Sequence, residues 1–158
     1  MLHIVLYEPE IPPNTGHIIR LAANTGAALH LIEPLGFFLD DRRLRRAGLD
    51  YHEFSRVQRW DNWNSFAENM PGERLFALTT RASRPYTDVE FRDGDMLLFG
   101  PETRGLPESL LAGLPDDGRL RIPMRENSRS LNLSNATAIV LYEALRQTGF
   151  DFSEMDSP

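Results

Sequence analysis

The 158-residue chain contains no cysteine and no lysine. Without cysteine there is no disulfide framework, no thiolate nucleophile and no sulfur-ligated metal site. All 17 bases are arginines, set against 23 acids for a formal net charge of −6. That balance argues against a protein that coats nucleic acid indiscriminately, but leaves room for a local basic patch. Arginine makes planar forked contacts with phosphate that lysine cannot; a bias in genome composition yields the same set, and both readings stand. No apolar run is long enough to span a bilayer. The opening MLHIVLYEPEIPPNTG passes from a short apolar run straight into prolines and acids, unlike a signal peptide, so a soluble cytoplasmic protein without a membrane partner is expected. Also lacking are a GxxxxGK[ST] loop, a GxSxG elbow and a His pair on one helical turn. His3, His17, His30 and His52 are scattered over strand and helix positions, where structural roles rather than metal ligation are expected; no metal is expected.

What is present fits one α/β domain over 1–150, with an acidic tail over 151–158. A 41% hydrophobic content supplies a sizeable core. His3–Tyr7 reads as a buried strand, ended by the proline-broken turn Glu8–Pro13. Asn14 or Thr15 is placed to cap a helix that Gly26 stops, and Ala28–Ile32 is a second strand, which makes a β-α-β unit. This unit lacks the GxGxxG nucleotide turn and carries PPNTGHIIR instead. A short helix begins near Asp40. Trp60, Trp63 and Phe66 recur at helical spacing and read as the packed face of an amphipathic helix rather than a base-stacking platform. Leu75–Thr79, Met96–Phe99 and Arg119–Ile122 read as further strands, with a short helix starting at Pro107 and a buried-face helix over Leu133–Gln147.

The least generic stretch is Leu97–Ala136, LLFGPETRGLPESLLAGLPDDGRLRIPMRENSRSLNLSNA. Two of its apolar runs end in polar or small-residue turns, as they do where a ligand site lies at the carboxyl ends of parallel strands. A third polar piece, Ser128–Asn132, feeds the last helix. These loops either converge on one pocket or are simply polar turns of an ordinary α/β domain. Residues 42–59 hold six arginines, Arg42, Arg43, Arg45, Arg46, Arg56 and Arg59, against Asp50 and Glu53, a local charge of +4. Such a cluster is commonly a solvated face; it is also this chain's best candidate for a phosphate-binding surface, through Arg42, Arg43, Arg45 and Arg46.

Three stretches, NTGHIIRLAANTG at 14–26, LFGPETRGLP at 98–107 and IPMRENSRSLNLSNA at 122–136, resemble the three signature motifs of the knotted RNA methyltransferases of the SPOUT superfamily. The likeness runs from the first strand to about Gly149, with the motifs in the expected order, and is nearest to the small single-domain members. It implies a three-layer α/β/α fold with a mostly parallel sheet and a carboxyl-terminal deep trefoil knot, an S-adenosylmethionine site within the knot, and a homodimer with the active site near its interface. It further implies ribose 2'-O-methylation of the wobble nucleotide, position 34, in the anticodon loop of certain tRNAs. The residues it assigns to the cofactor are Leu78, Thr79, Gly100, Glu102 and Gly105, then Ile122, Met124, Ser130 and Leu131. Arg20 is implied as the catalytic residue, with Asn14 or Glu102 fixing it and Tyr142 near the substrate or the dimer contact.

Arginine holds its proton at any ordinary pH. Arg20 is therefore expected to orient the 2'-oxygen and the adjacent phosphate, while the proton leaves to that phosphate or to solvent. Unpaired bases of an anticodon loop can be reached without an accessory RNA-binding domain. The alternatives are 2'-O-methylation of another tRNA or ribosomal RNA nucleotide, and a knotted RNA-binding protein without catalysis. Intact Arg20, Gly100, Glu102, Ser130 and Asn132 speak against the last.

Overall fold

In the computed structural model, which describes residues 1–70 and 74–152, strands β1 (His3–Tyr7) and β2 (Ala28–Ile32) pair in parallel and are joined by helix α1 (Pro12–Thr25). Both strands have the limits that their apolar runs predict. The helix begins earlier than expected. Ile11 is its N-cap and prolines fill the first turn, where a missing N–H goes unnoticed, so Asn14 and Thr15 lie inside the helix and neither caps it. At its other end Gly26 takes the left-handed conformation, φ 74°, that stops a helix.

The chain continues through α2 (Asp41–Arg46), α3 (Tyr51–Phe54), β3 (Val57–Trp60), α4 (Trp63–Asn69), β4 (Leu75–Leu78), β5 (Met96–Phe99), α5 (Glu108–Ala112), β6 (Arg119–Leu120) and α6 (Leu133–Thr148). The sheet order is β3-β2-β1-β5-β4-β6, parallel at every pairing. Ile4, Leu6, Leu97 and Phe99 pack one face against Ile18 of α1 and Leu141 of α6. Val5 and Leu98 pack the other against Phe66 of α4 and Leu111 of α5. Successive strand residues point to opposite faces, so this division makes three layers, α/β/α. Burial on both faces is why β1 and β5 appear as unbroken apolar runs.

Four local readings change. β3 carries no apolar run, because its two central residues, Gln58 and Arg59, are exposed at the sheet edge. Trp60 therefore ends a strand instead of starting a helical stripe, although it still packs on Phe66 at 5.7 Å, as Trp63 does at 5.3 Å. Pro107 is the N-cap of α5 rather than its first residue, and β6 stops at Leu120, with Arg121 forming only a bridge to Pro85. The expected acidic tail falls, from residue 153 on, outside the described residues.

Beneath the aromatic cluster, Trp60 Nε1 donates to His30 Nδ1 at 3.1 Å, and His30 Nε2 lies 3.0 Å from His3 Nδ1. An indole N–H can only donate, so His30 keeps its single proton on Nε2 and is held neutral. Burial, reinforced by His3, pushes its pKa down to about 4.

Candidate active site

The carboxyl ends of β4, β5 and β6 open into a cleft of about 450 Å³. β4 contributes Leu78 and the following Thr79; the loop after β5 contributes Gly100, Glu102 and Gly105. Ile122 and Met124 enter after β6, and Ser130 and Leu131 before α6. Every residue expected at a cofactor thus lines this one cleft, and Asn14 of the first motif, with Ile11 ahead of it, completes its wall. The turn after β5 is tight. A Cβ on Gly100 would lie 2.5 Å from Leu106 N and 2.6 Å from the Gly105 carbonyl carbon, so no larger residue fits. Gly105 donates its N–H to Pro101 O at 3.0 Å and sits at φ 68°, which favours glycine; a Cβ there would meet nothing within 4 Å.

A chain of hydrogen bonds joins the three motifs. The Glu102 carboxylate accepts the backbone N–H groups of Glu10 at 2.9 Å and Ile11 at 2.6 Å, and Asn14 Nδ2 at 3.4 Å. The N-cap Ile11 has no capping side chain, and a carboxylate from 91 residues downstream instead holds the backbone entering α1, near a helix amino end where negative charge is favourable. Asn14 Oδ1 in turn accepts from Asn132 Nδ2 at 2.9 Å. Asn132 Oδ1 accepts the N–H groups of Ser134 and Asn135, capping α6. Beside this chain, the Thr103 N–H and hydroxyl donate to the Glu10 carboxylate at 2.9 and 2.8 Å, which holds Glu10 below the usual carboxylate range. Arg104 pairs with Glu8, itself at a left-handed φ of 47°.

Arg20 lies elsewhere. Its Nε meets Glu53 Oε2 at 2.7 Å and its Nη2 donates to Gly48 O at 2.5 Å. Glu53, and not Asn14 or Glu102, is therefore its fixing partner. The reason is helical geometry: positions 14 and 20 are six residues apart and point roughly 120° from each other at 3.6 residues per turn. Hydrogen bonding and charge between the two hold Glu53 below the usual carboxylate range and push the Arg20 pKa further up. The sequence reading overlooked Glu53; its signal was the D-x-x-E capping box of α3, Asp50 and Glu53, ahead of buried Phe54.

Arg20 lines a second cavity, of about 540 Å³, between α1 and the 37–49 segment. Of the α2 arginines, Arg43 lines it. Arg42, Arg43, Arg45 and Arg46 are all exposed; Arg43 pairs with Asp40 at 3.5 Å, and the other three form no ion pair among the described residues. Tyr142 is 45% exposed and packs against Phe150, with ring centroids 6.3 Å apart, so the structure does not bring it to the cleft of its own chain.

Comparison with known proteins bears on this geometry. A model of the SpoU rRNA Methylase family matches residues 1–142. The tRNA (cytidine(34)-2'-O)-methyltransferase of Escherichia coli (strain K12) is 61% identical over 150 residues, 95% of this chain and 96% of that one. A solved structure described as giving structural insights into the 2-OH methylation of C/U34 on tRNA matches with a TM-score of 0.85 at 49% identity, covering 94% of this chain and 96% of its own. An AdoMet-bound rRNA methyltransferase from Sinorhizobium meliloti matches at a TM-score of 0.79 and 28% identity, covering 92% of this chain and 56% of that one.

Proposed function

Because the chain belongs to the SpoU rRNA Methylase family, we propose that it is a tRNA 2'-O-methyltransferase. It uses S-adenosylmethionine to methylate the ribose of the wobble nucleotide, a cytidine or modified uridine at position 34. The observation that carries this reading is the single cleft at the ends of β4, β5 and β6 on which all three motifs converge. Its size lies within the roughly 300–1,000 Å³ of small-molecule sites. Leu78, Ile122 and Leu131 offer an apolar slot suited to an adenine ring, and the open side of Gly105 leaves room for a ligand against the backbone.

Bound S-adenosylmethionine supplies an activated methyl group. The chain's own part is to place a ribose oxygen in line with it. Arg20, kept protonated by Glu53, orients that oxygen and the neighbouring phosphate through its exposed guanidinium. The hydroxyl proton leaves to the phosphate or to solvent. Asn14 and Glu102 keep the cleft wall and the turn after β5 in register with α1 and α6. Methylation at pyrimidine carbon 5 would normally begin with thiolate attack, for which a chain with no cysteine has no nucleophile.

This reading extends to the assembly. The domain spans 1–150, followed by the 151–158 tail, and the segment from β6 to α6 forms a deep trefoil knot. Support for the knot comes from the sheet order: β6 lies at the sheet edge beside β4, yet α6 packs on α1 and β5 across the sheet. The enzyme works as a homodimer in the cytoplasm. Ile139, Tyr142 and Phe150, 36, 45 and 43% exposed on and beside α6, offer the second copy an apolar face that holds Tyr142 at the dimer contact.

The test uses labelled cofactor with tRNA lacking the modification, followed by digestion and mass spectrometry of the labelled nucleoside. A 2'-O-methylated pyrimidine at position 34 is expected. A methyl on a base nitrogen overturns the ribose assignment, label at another ribose overturns the anticodon target, and no transfer in the presence of bound cofactor overturns the enzyme.

A further inference from the structure

The cavity beside Arg20 is not part of the cofactor cleft, and its chemistry is different. The walls are largely apolar, from Pro12 and Pro13 of α1 to Phe37, Leu39 and Leu44 opposite. At its mouth Phe38 is 79% exposed, the most exposed large hydrophobic side chain of the described residues. The Arg43 guanidinium sits 5.1 Å from the Phe38 ring centroid. A cation over one face leaves the rest of a ring that exposed open to a further flat partner, and aromatic rings and guanidinium planes are both surfaces on which nucleobases stack.

Charge selects the occupant. Arg20 and Arg43 line the groove, and Arg42, Arg45 and Arg46, on the same short helix as Arg43 and without ion pairs among the described residues, add to the charge beside it in a chain of net charge −6. A polyanion is drawn to such a patch.

We propose that this groove is a nucleotide-binding subsite for the RNA substrate. It takes the base of an unpaired nucleotide adjacent to the methylated one, stacked on Phe38, with the phosphate against Arg20 and Arg43. The proposal rests on the reading of the chain as an RNA methyltransferase. Its link to the reaction is Arg20, which belongs to the groove wall and to the reacting ribose at once, so the neighbouring base falls beside Pro12, Pro13 and Phe38. The groove thereby favours RNA whose bases at this point are free to leave the stack. A paired stem cannot enter it.

The test is direct binding of an anticodon stem-loop RNA to full-length protein across a salt series, read by fluorescence anisotropy without turnover. Phe38→Ala should weaken binding by about tenfold with an unchanged salt slope, because base–aromatic stacking is lost and no phosphate contact is. Phe38→Trp should restore it. Arg43→Ala should lower the salt slope by about one. A side chain this exposed can be replaced without unfolding, and cofactor binding by both Phe38 variants checks that. Affinity of Phe38→Ala within twofold of the parent overturns the proposal, and so does a weakened dimer with RNA affinity intact, which would make the groove a contact between copies. Because binding is read apart from turnover, loss of the methyl-transfer reading would leave a distinct record: parent protein that binds RNA and transfers no methyl.

Discussion

Replacing Glu102 by alanine removes the group that closes the amino end of α1 from a distance. The carboxylate accepts two backbone N–H groups, of Glu10 and Ile11, and the Asn14 amide. The two backbone hydrogen bonds contribute about 0.5–1.5 kcal/mol each, and loss of a negative charge at a helix amino end costs a further ~0.3–1 kcal/mol. These N–H groups are only partly buried, so water replaces some of what is lost, and about 2 kcal/mol is the expected total. In a chain of this length that lowers the melting temperature by roughly 4–8 °C. The same change frees the turn after β5 from α1, so S-adenosylmethionine should bind about tenfold more weakly, a loss of ~1.4 kcal/mol. Glu102→Gln keeps an acceptor oxygen and gives up the charge, so it should fall between parent and alanine variant in both measurements. Thermal denaturation and calorimetry with the cofactor are the assays. An alanine variant that melts within a degree of the parent and binds cofactor equally, but turns over slowly, would refute the reasoning, because the carboxylate would then act on the substrate and not on the helix.

Two further outcomes follow from packing and titration. Gly100→Ala drives a Cβ to 2.5 Å from the Leu106 backbone nitrogen, so it should cost about 3 kcal/mol or more and abolish cofactor binding, as read by denaturant titration and calorimetry. A melting point unchanged by this substitution would mean that the turn yields freely. His30 is neutral in the fold with its pKa at about 4, below the ordinary 6.5. Its contribution is therefore complete above pH 6.5 and is lost as pH falls through about 4, up to roughly 3 kcal/mol at 1.36 kcal/mol per unit. His30→Leu should flatten the stability profile between pH 6.5 and 4 whatever it does to stability at pH 7, and an unchanged slope would assign the acid sensitivity to other groups.

Much of this architecture was legible because its signals are local. β1, β2 and β5 are short apolar runs buried on both faces, and Gly26 and Gly149 stop their helices in the left-handed conformation. The cleft residues were legible for a related reason: each motif is a turn directly after a strand or before a helix, so neighbours in sequence remain neighbours in space. The partners were not legible. The carboxylate that holds the entry of α1 comes from Glu102 and the clamp on Arg20 from Glu53, contacts made across 91 and 33 residues, and no periodicity within α1 announces either. β3 was hidden by its position, since an edge strand with exposed Gln58 and Arg59 has neither an apolar run nor a buried alternation.

The placement of Arg20 has a consequence for the assembly. Within one chain α1 separates two cavities, with Ile11 and Asn14 lining the cleft at the strand ends and Gly16 and Arg20 lining the groove. The guanidinium is held by Glu53 and Gly48, on the side away from Glu102. For the proposed homodimer we predict that a residue clamped there serves a methyl donor in the cleft of the second chain and not one in its own. Arg20→Ala should then lose most turnover and bind cofactor within a few fold of the parent. Leu131→Glu, which places a charge in the apolar slot from a residue 38% exposed, should lose cofactor binding and keep its fold. Each variant alone should be inactive. Mixed and allowed to exchange, they should recover about a quarter of parental turnover, since half the dimers in an equal mixture are mixed and each of those carries one site with an intact arginine and an intact cleft. If Arg20 instead served its own chain, every site in the mixture would carry one defect, and the mixture would stay inactive.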